Sequence, residues 1–364
     1  MKNRVGNRLR MKVKIIQKRR FSMKRFLVAW IVLALAVVIG FPVVAAEKAI
    51  EFKISVDSNE NHHRNKGLHL YMDLLTKNSQ GRLKPLFFHS AQLYKDKDIP
   101  KALKMGTVDM GLPGIWQLEG VASSTAITAL PMFYGLPAKL TKDLVDGEAG
   151  KLIGQDIEKK MGAKVLGKWA YHGYLDTGTK PKAIRDWKDF NGLKIRHHGG
   201  AANAIRLQTF GASPILIPWP DLPMAMVQGT ADGCVTTLKS FESAKLWDTG
   251  LKYVTKDKQY YLHNIPLVSM VFWNKLPKDL QKVMIDTWEQ HIEKARDITD
   301  EEQRIGEEIM KKNGVQVYEP SDAELMKWRE KVLTVQETIV TELKLDKSLV
   351  AKVETIVKES VKKK

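Results

Sequence analysis

Asp98-Ile99-Pro100-Lys101-Ala102-Leu103-Lys104-Met105-Gly106-Thr107-Val108-Asp109 returns later in the chain as Asp221-Leu222-Pro223-Met224-Ala225-Met226-Val227-Gln228-Gly229-Thr230-Ala231-Asp232. In both copies Pro stands where the first helical turn has no partner for its N–H, and Gly follows where the chain must turn left-handed to stop. Each copy therefore reads as a short helix, a glycine stop and the entry to a strand. Two such units so far apart imply two halves of similar construction; a solenoid would repeat at shorter, consecutive intervals. At 364 residues the chain also exceeds what one core usually organises.

The surrounding pattern fixes the class. Glu51 to Val56 alternates polar and apolar as a strand does, Leu68, Tyr71, Leu74 and Leu75 recur at helical spacing, and Leu86-Phe87-Phe88 is strand-like again before Asp98 and Pro100 open the next helix. The order β, α, β, α is that of an α/β protein. Leu262 to Trp273 reads as a long extended segment crossing between halves. Leu276, Leu280, Val283, Met284 and Trp288 mark one face of a helix that meets no Gly or Pro from Lys278 to Ile305, and Ser321 with Glu324 forms a capping box that opens a terminal helical region.

The formal charge of +18 suggests a polyanion binder until it is located. Eleven Lys or Arg and no acid lie in Met1 to Arg25, which leaves +7 for the rest. This basic stretch precedes the uncharged run Phe26 to Ala46, ending Val44-Ala45-Ala46, so the first 46 residues read as a secretory signal with Glu47 as the first mature residue. The run is also long enough for an uncleaved anchor, and Met23-Lys24-Arg25 is a sufficient start by itself. Export places the mature chain in the periplasm. A lone cysteine, Cys234, permits no internal disulfide and no cysteine metal cluster.

Asn191-Gly192-Leu193-Lys194-Ile195-Arg196 is a turn feeding a short strand that ends in a guanidinium, the group that pairs bidentately with a carboxylate. From Lys194-Ile195-Arg196 through Gly211-Ala212-Ser213-Pro214 to Gly229-Thr230-Ala231-Asp232-Gly233 the spacing resembles the periplasmic solute-binding subunit of TRAP transporters, the DctP type, and Leu276-Pro277-Lys278-Asp279-Leu280-Gln281-Lys282-Val283 resembles the start of that family's long helix. The resemblance covers essentially all of the mature chain. It implies a two-lobed periplasmic-binding-protein-like α/β fold with crossing hinge strands and a long helix spanning both lobes. Lobe I is then 47–173 with 262–301, and lobe II is 174–261 with 302–364. It further implies an organic acid held in the interlobe cleft and delivered to a membrane permease of small and large subunits, by a protein that is monomeric, not an enzyme, and without cofactor.

By the same resemblance Arg196 grips the ligand carboxylate, Trp219 lays a ring against the ligand and Thr236 follows at another pocket position, while Asp57 and the Gly114 to Trp116 loop, with Trp116, face them from the opposite lobe. The departures are informative. Some acidic-sugar binders carry a second Arg where this chain has Asp176, which argues against a ligand held by two guanidinium groups, and members that bind keto acids through a metal carry Glu-Trp after the Asp-Gly pair, where this chain has Cys234-Val235-Thr236, so no metal is expected. Trp116, Trp169, Tyr171, Trp219, Tyr260 and Tyr261 are candidate walls for a mostly apolar cleft suited to an aromatic acid.

Enzyme chemistry finds little support. His62-His63 and His197-His198 are adjacent pairs whose side chains diverge if extended, and no H-E-x-x-H, C-x-x-C, G-x-S-x-G, Walker A or G-x-G-x-x-G pattern occurs. Cys234 with a remote His is the one nucleophile pair to consider, against its ordinary role as a small buried residue. Nucleic acid is not an expected partner. The alternative to delivery is ligand sensing for a membrane receptor.

Overall fold

The structure, a computed structural model, describes residues 48–362, so the basic segment and export signal assigned to 1–46 lie outside the described residues. Among the described residues thirteen strands form three sheets. Strands β1 (Ile50–Ser55), β2 (Leu83–Phe88), β3 (Met110–Gly111) and β4 (Ala163–Val165) join the late strand β12 (Leu267–Ser269) in the order β2-β1-β3-β12-β4. Strands β6 (Asp176–Thr179), β7 (Lys194–His197), β8 (Ser213–Leu216), β9 (Gly233–Thr236), β10 (Tyr253–Thr255) and β13 (Gln316–Tyr318) form a second sheet in the order β13-β10-β6-β9-β7-β8. Strands β5 (Ala170–Tyr174) and β11 (Tyr261–Asn264) pair antiparallel by themselves, with a bulge between Leu262 and His263.

This third sheet is the crossing. The chain leaves the first sheet at β4, passes through β5 and enters the second at β6; it returns from β10 through β11 to β12. The expected extended segment from Leu262 to Trp273 is shorter than its composition suggests. Ile265-Pro266 interrupts it, and Met270–Trp273 is one helical turn, opened by the Ser269 hydroxyl accepting from the Val271 N–H at 3.2 Å.

Five helices position the site: α1 (His63–Asn78), α2 (Ile99–Met105), α3 (Leu222–Val227), α4 (Leu238–Ser243) and α5 (Lys278–Lys312). The last is the long helix read from the sequence. Leu280, Met284, Trp288, Ile292 and Ala295 bury one face of it in the core of the first half, with Phe52, Tyr71 and Leu75. Further along it packs on α4 of the second half. Small residues make both approaches possible: a Cβ on Gly67 would lie 3.1 Å from the Ala295 Cβ, and one on Gly306 would lie 3.1 Å from the Lys239 Cα.

The near-repeat is a repeat in space. Helices α2 and α3 each carry Pro in the first turn, and each is closed by a left-handed glycine, Gly106 at φ 69° and Gly229 at φ 71°. The hydrogen bonds correspond: Thr107 N–H donates to the Ala102 carbonyl at 3.1 Å and Thr230 N–H to the Ala225 carbonyl at 2.9 Å. The aspartate ending each motif then clamps the neighbouring strand from both sides. Asp109 Oδ2 accepts from Lys53 N–H at 2.7 Å while Asp109 N–H donates to the Lys53 carbonyl at 3.1 Å; Asp232 does the same with Lys194 at 2.8 and 2.8 Å. The clamp sets register, since Ile54 pairs with Met110 and Ile195 with Gly233 at the same offset. Lys53-Ile54-Ser55 and Lys194-Ile195-Arg196 are thus structural counterparts, and Arg196 stands where the first half has Ser55.

The clamp is a charge-assisted hydrogen bond at a strand entrance, worth on the order of 1 kcal/mol net. Asp109→Ala and Asp232→Ala are each expected to lower the unfolding free energy by that amount, seen as a lower urea midpoint with an unchanged slope; equal stability to the parent protein would show that strand register is set elsewhere.

Candidate functional site

Strands β1, β7, β8 and β9 run parallel within their sheets, and their carboxyl ends face one cavity between the two halves. Such strand ends are where open α/β sheets place ligands, because the loops that follow are free to vary while the strands hold them. The space between the walls is ≈ 620 Å³, a figure that includes open solvent at the mouth.

All five residues singled out in the sequence line this cavity: Asp57 just beyond β1, Trp116 on the loop after β3, Arg196 on β7, Trp219 after β8 and Thr236 at the end of β9. Arg196 is buried. Its Nε donates to the Ile217 carbonyl at 2.8 Å, and its guanidinium lies 5.5 Å from the centre of the Trp219 ring. Among the described residues its two terminal nitrogens have neither a hydrogen-bond acceptor nor an ion-pair partner. Burial lowers its pKa to about 10, with Cys234, Asp57 and Asp96 pulling the other way. It remains a cation at neutral pH, with its fork turned to the cavity.

Trp116 is fixed by what precedes it. A Cβ on Gly114 would lie 2.1 Å from the indole ring, so only glycine lets the loop fold under the tryptophan. The ring meets His198 edge-on at 4.3 Å between centroids, and its Nε1–H is buried without an acceptor. The Asp57 carboxylate is taken by Arg64, whose Nη2 it contacts directly, so it orients a second guanidinium and offers little to a ligand.

Sequence reasoning passed over Arg64, Asp96, His62, His172 and His198, all of which line the cavity. Arg64 Nε donates to the Ser58 hydroxyl at 3.1 Å and Nη1 to the Leu112 carbonyl at 3.2 Å, and Nη1 stands 3.8 Å from Asp96. Asp96 is raised to about 7, first by burial and then by the Asp57 charge, against the pull of Arg64. The signal was present in His62-His63-Arg64, which follows Asp57 closely, but the histidines were read as a strand pair. They open helix α1, and their ring centroids are 4.1 Å apart: the side chains converge. Asp176 lies outside the cavity wall, buried at the crossing, where its Oδ1 accepts from Lys258 N–H at 3.0 Å.

Four of the six candidate aromatic walls are elsewhere. Trp169, Tyr171, Tyr260 and Tyr261 do not line the cavity; Tyr171 and Tyr261 pack edge-on at 5.6 Å in the crossing sheet, with Lys142 and Arg296 each 4.2 Å from the centre of the Tyr171 ring. The wall is therefore more polar than the aromatic count suggested. Cys234 is fully buried and its thiol is pushed up to about 12 by burial, which removes it as a nucleophile at neutral pH.

Contacts across the cavity mouth join the two halves. Lys95 pairs with Asp221 at 2.7 Å, the Asn59 side-chain amide donates to the Ser243 carbonyl at 2.7 Å, His62 Nε2 meets the Ser240 hydroxyl at 3.0 Å, and the Gln117 amide donates to the His198 carbonyl at 2.9 Å. These are the contacts of a closed cleft.

Comparison with known proteins is consistent across sequence and fold. The model of bacterial extracellular solute-binding protein family 7, DctP, matches residues 54–342. The C4-dicarboxylate-binding periplasmic protein DctP of Rhodobacter capsulatus is 26% identical over 302 residues, 83% of this chain and 89% of that protein. The 2,3-diketo-L-gulonate-binding periplasmic protein YiaO of Escherichia coli is 24% identical over 68% of this chain and 74% of its own. The sugar acid binding protein DctPAm of Advenella mimigardefordensis, solved with galactonate, superposes with a TM-score of 0.81 at 20% identity, covering 86% of this chain and 99% of that one. A TRAP periplasmic solute-binding protein of Desulfovibrio salexigens, solved with orotic acid, gives 0.79 at 20% identity over 85% and 99%.

Proposed function

The chain belongs to bacterial extracellular solute-binding protein family 7, the DctP family of TRAP-type solute-binding proteins, and on that premise we propose that it captures a small polar organic acid in the cleft and delivers it to a TRAP permease. The observation that carries this reading is the unpaired fork of Arg196. A buried guanidinium without a carboxylate is costly, and the cost is recovered when a ligand carboxylate supplies the missing acceptors in bidentate geometry.

The other walls select what is attached to that carboxylate. Trp219 stacks beside it, Trp116 offers an unpaired N–H, and Thr236, Ser58, Gln117 and the cavity histidines supply donors and acceptors for hydroxyl or carbonyl groups. Such a lining favours a hydroxy, keto or sugar acid over an aromatic monocarboxylate, the polar groups of the wall being left unpaired by an apolar ligand. Asp57 contributes by holding Arg64. The lobes are 47–173 with 262–301 and 174–261 with 302–364, hinged at the crossing strands; opening breaks the Lys95–Asp221 and His62–Ser240 contacts and admits the acid, and the permease reads the difference between the two states. The protein acts in the periplasm as a monomer, after removal of residues 1–46, and carries out no covalent chemistry.

Thermal unfolding against hydroxy, keto, sugar, dicarboxylic and aromatic acids tests the reading, because a ligand of the native state raises the midpoint. Polar acids are expected to raise it, and Arg196→Ala to lose ~2–5 kcal/mol of binding, more than tenfold in affinity; a folded Arg196→Ala protein with full affinity would remove Arg196 from the site. Asp96 sets the pH dependence. Its raised pKa keeps it neutral below about 7 and adds a negative charge to the cavity above it, so affinity for the anion is expected to fall as pH rises from 6 to 8, and Asp96→Asn to abolish that fall in isothermal titration.

A further inference from the structure

We propose that His62, His63 and His172 hold a divalent transition-metal ion of the zinc class on the wall of the acid-binding cavity, with an open coordination position facing the ligand. His62 and His63 come from the amino end of α1, and His172 from the crossing strand β5, so the set forms only when the chain is folded. Ring centroids are 4.1 Å apart for His62 and His63, 5.3 Å for His62 and His172, and 5.1 Å for His63 and His172. One ring nitrogen of each lies within 4.8 Å of the others. Nitrogens on a tetrahedral zinc stand about 3.4 Å apart, given a bond of about 2.0–2.1 Å, so modest ring rotations close the set.

The independent observation is a failure of hydrogen bonding. Both ring nitrogens of His63 and Nδ1 of His172 are buried without any partner. Buried polar atoms are rarely left so, and one nitrogen of His63 and Nδ1 of His172, on rings 5.1 Å apart, can share a partner. A Lewis acid is such a partner, since an imidazole nitrogen with no hydrogen-bond donor facing it keeps a lone pair to give. His62 joins at the cost of one of its two present bonds, to the Arg64 N–H at 3.2 Å or to the Ser240 hydroxyl at 3.0 Å.

The facing charges do not forbid the ion. Arg64 pairs with Asp57 and lies 3.8 Å from Asp96; Lys239 is bridged by Glu242 at 2.6 Å and Glu302 at 2.8 Å; and Lys66 pairs with Glu302 at 2.6 Å. Each nearby cation is thus matched by carboxylate. Three neutral nitrogens suit zinc, nickel, cobalt or copper, and exclude the oxygen-seeking calcium and magnesium. His62 and His172 both reach the cavity that Arg196 reaches. Three protein ligands leave a position for water or for an oxygen of the captured acid. Only this last ligand rests on the proposed acid-binding function; ion binding does not.

The test uses purified protein without a polyhistidine tag, stripped with chelator and titrated with zinc against a chromophoric competitor, with no acid present. One equivalent of zinc is expected to bind, and cobalt to show the visible absorption of a nitrogen-ligated four-coordinate ion. His63→Asn and His172→Asn are each expected to weaken zinc on the order of hundredfold or more, since even outer-shell changes cost 10–100-fold; unfolding midpoints without metal confirm that the variants fold. Stoichiometric zinc binding in Arg196→Ala, with acid binding lost, separates the two sites. Failure of the parent protein to bind one equivalent, or zinc affinity unchanged in both folded histidine variants, overturns the metal site and leaves the acid-binding reading standing.

Discussion

A guanidinium taken out of water and given one carbonyl, that of Ile217, is the constraint around which the cleft is organised. Arg196 can be buried because its strand is held on both sides: β8 and β9 pair parallel with β7, and Asp232 fixes the strand's first residue. Among the described residues its two terminal nitrogens have no acceptor, and that opening is what the proposed ligand carboxylate would fill. A protein selected for stability alone would place an acid there, as it does beside Arg64, where Asp57 and Asp96 converge. The two cavity arginines differ in this respect: Arg64 faces two carboxylates, and Arg196 faces none among the described residues.

Ligand capture and closure draw on the same scaffold. The two sheets share their entrance geometry, Asp109 clamping Lys53 and Asp232 clamping Lys194, so two similar edges are presented to one another across the cleft. Among the described residues the crossing strands β5 and β11 form a sheet separate from the two larger ones, and the long helix packs on both halves, closely at Gly67 and Gly306. The contacts between the halves are single polar bonds, and the exposed Lys95–Asp221 pair among them is worth little.

The crossing is also where the buried acids collect. Asp176, the first residue of β6, and Asp257, between β10 and β11, lie beside it, both raised by burial, with Asp176 raised further by the charge of Asp257. Asp257 accepts from Thr177 at 2.9 Å, Gln259 at 2.9 Å and Tyr134 at 3.2 Å, a network that ties the crossing to the loop before α/β elements of the first half. Asp176 is part of the buried bonding beside the crossing, and the second cavity guanidinium, that of Arg64, comes from α1.

Much of this was legible in order along the chain. Helix stops need glycine, strand entrances need a clamp and a carboxylate-gripping fork needs arginine, so the near-repeat, the α/β class, the long helix and Arg196 follow from residue types at fixed spacing. What lay beyond the sequence was convergence. That His62 and His63 turn toward one another depends on a helix starting there, that His172 meets them depends on a strand crossing from the other side, and that Trp169, Tyr171, Tyr260 and Tyr261 stay out of the cavity depends on the same crossing. Local sequence determines which groups a segment can present, because backbone sterics and hydrogen bonding act over a few residues. Only the tertiary structure decides which groups share a space, because that is set by the packing of segments far apart in the chain.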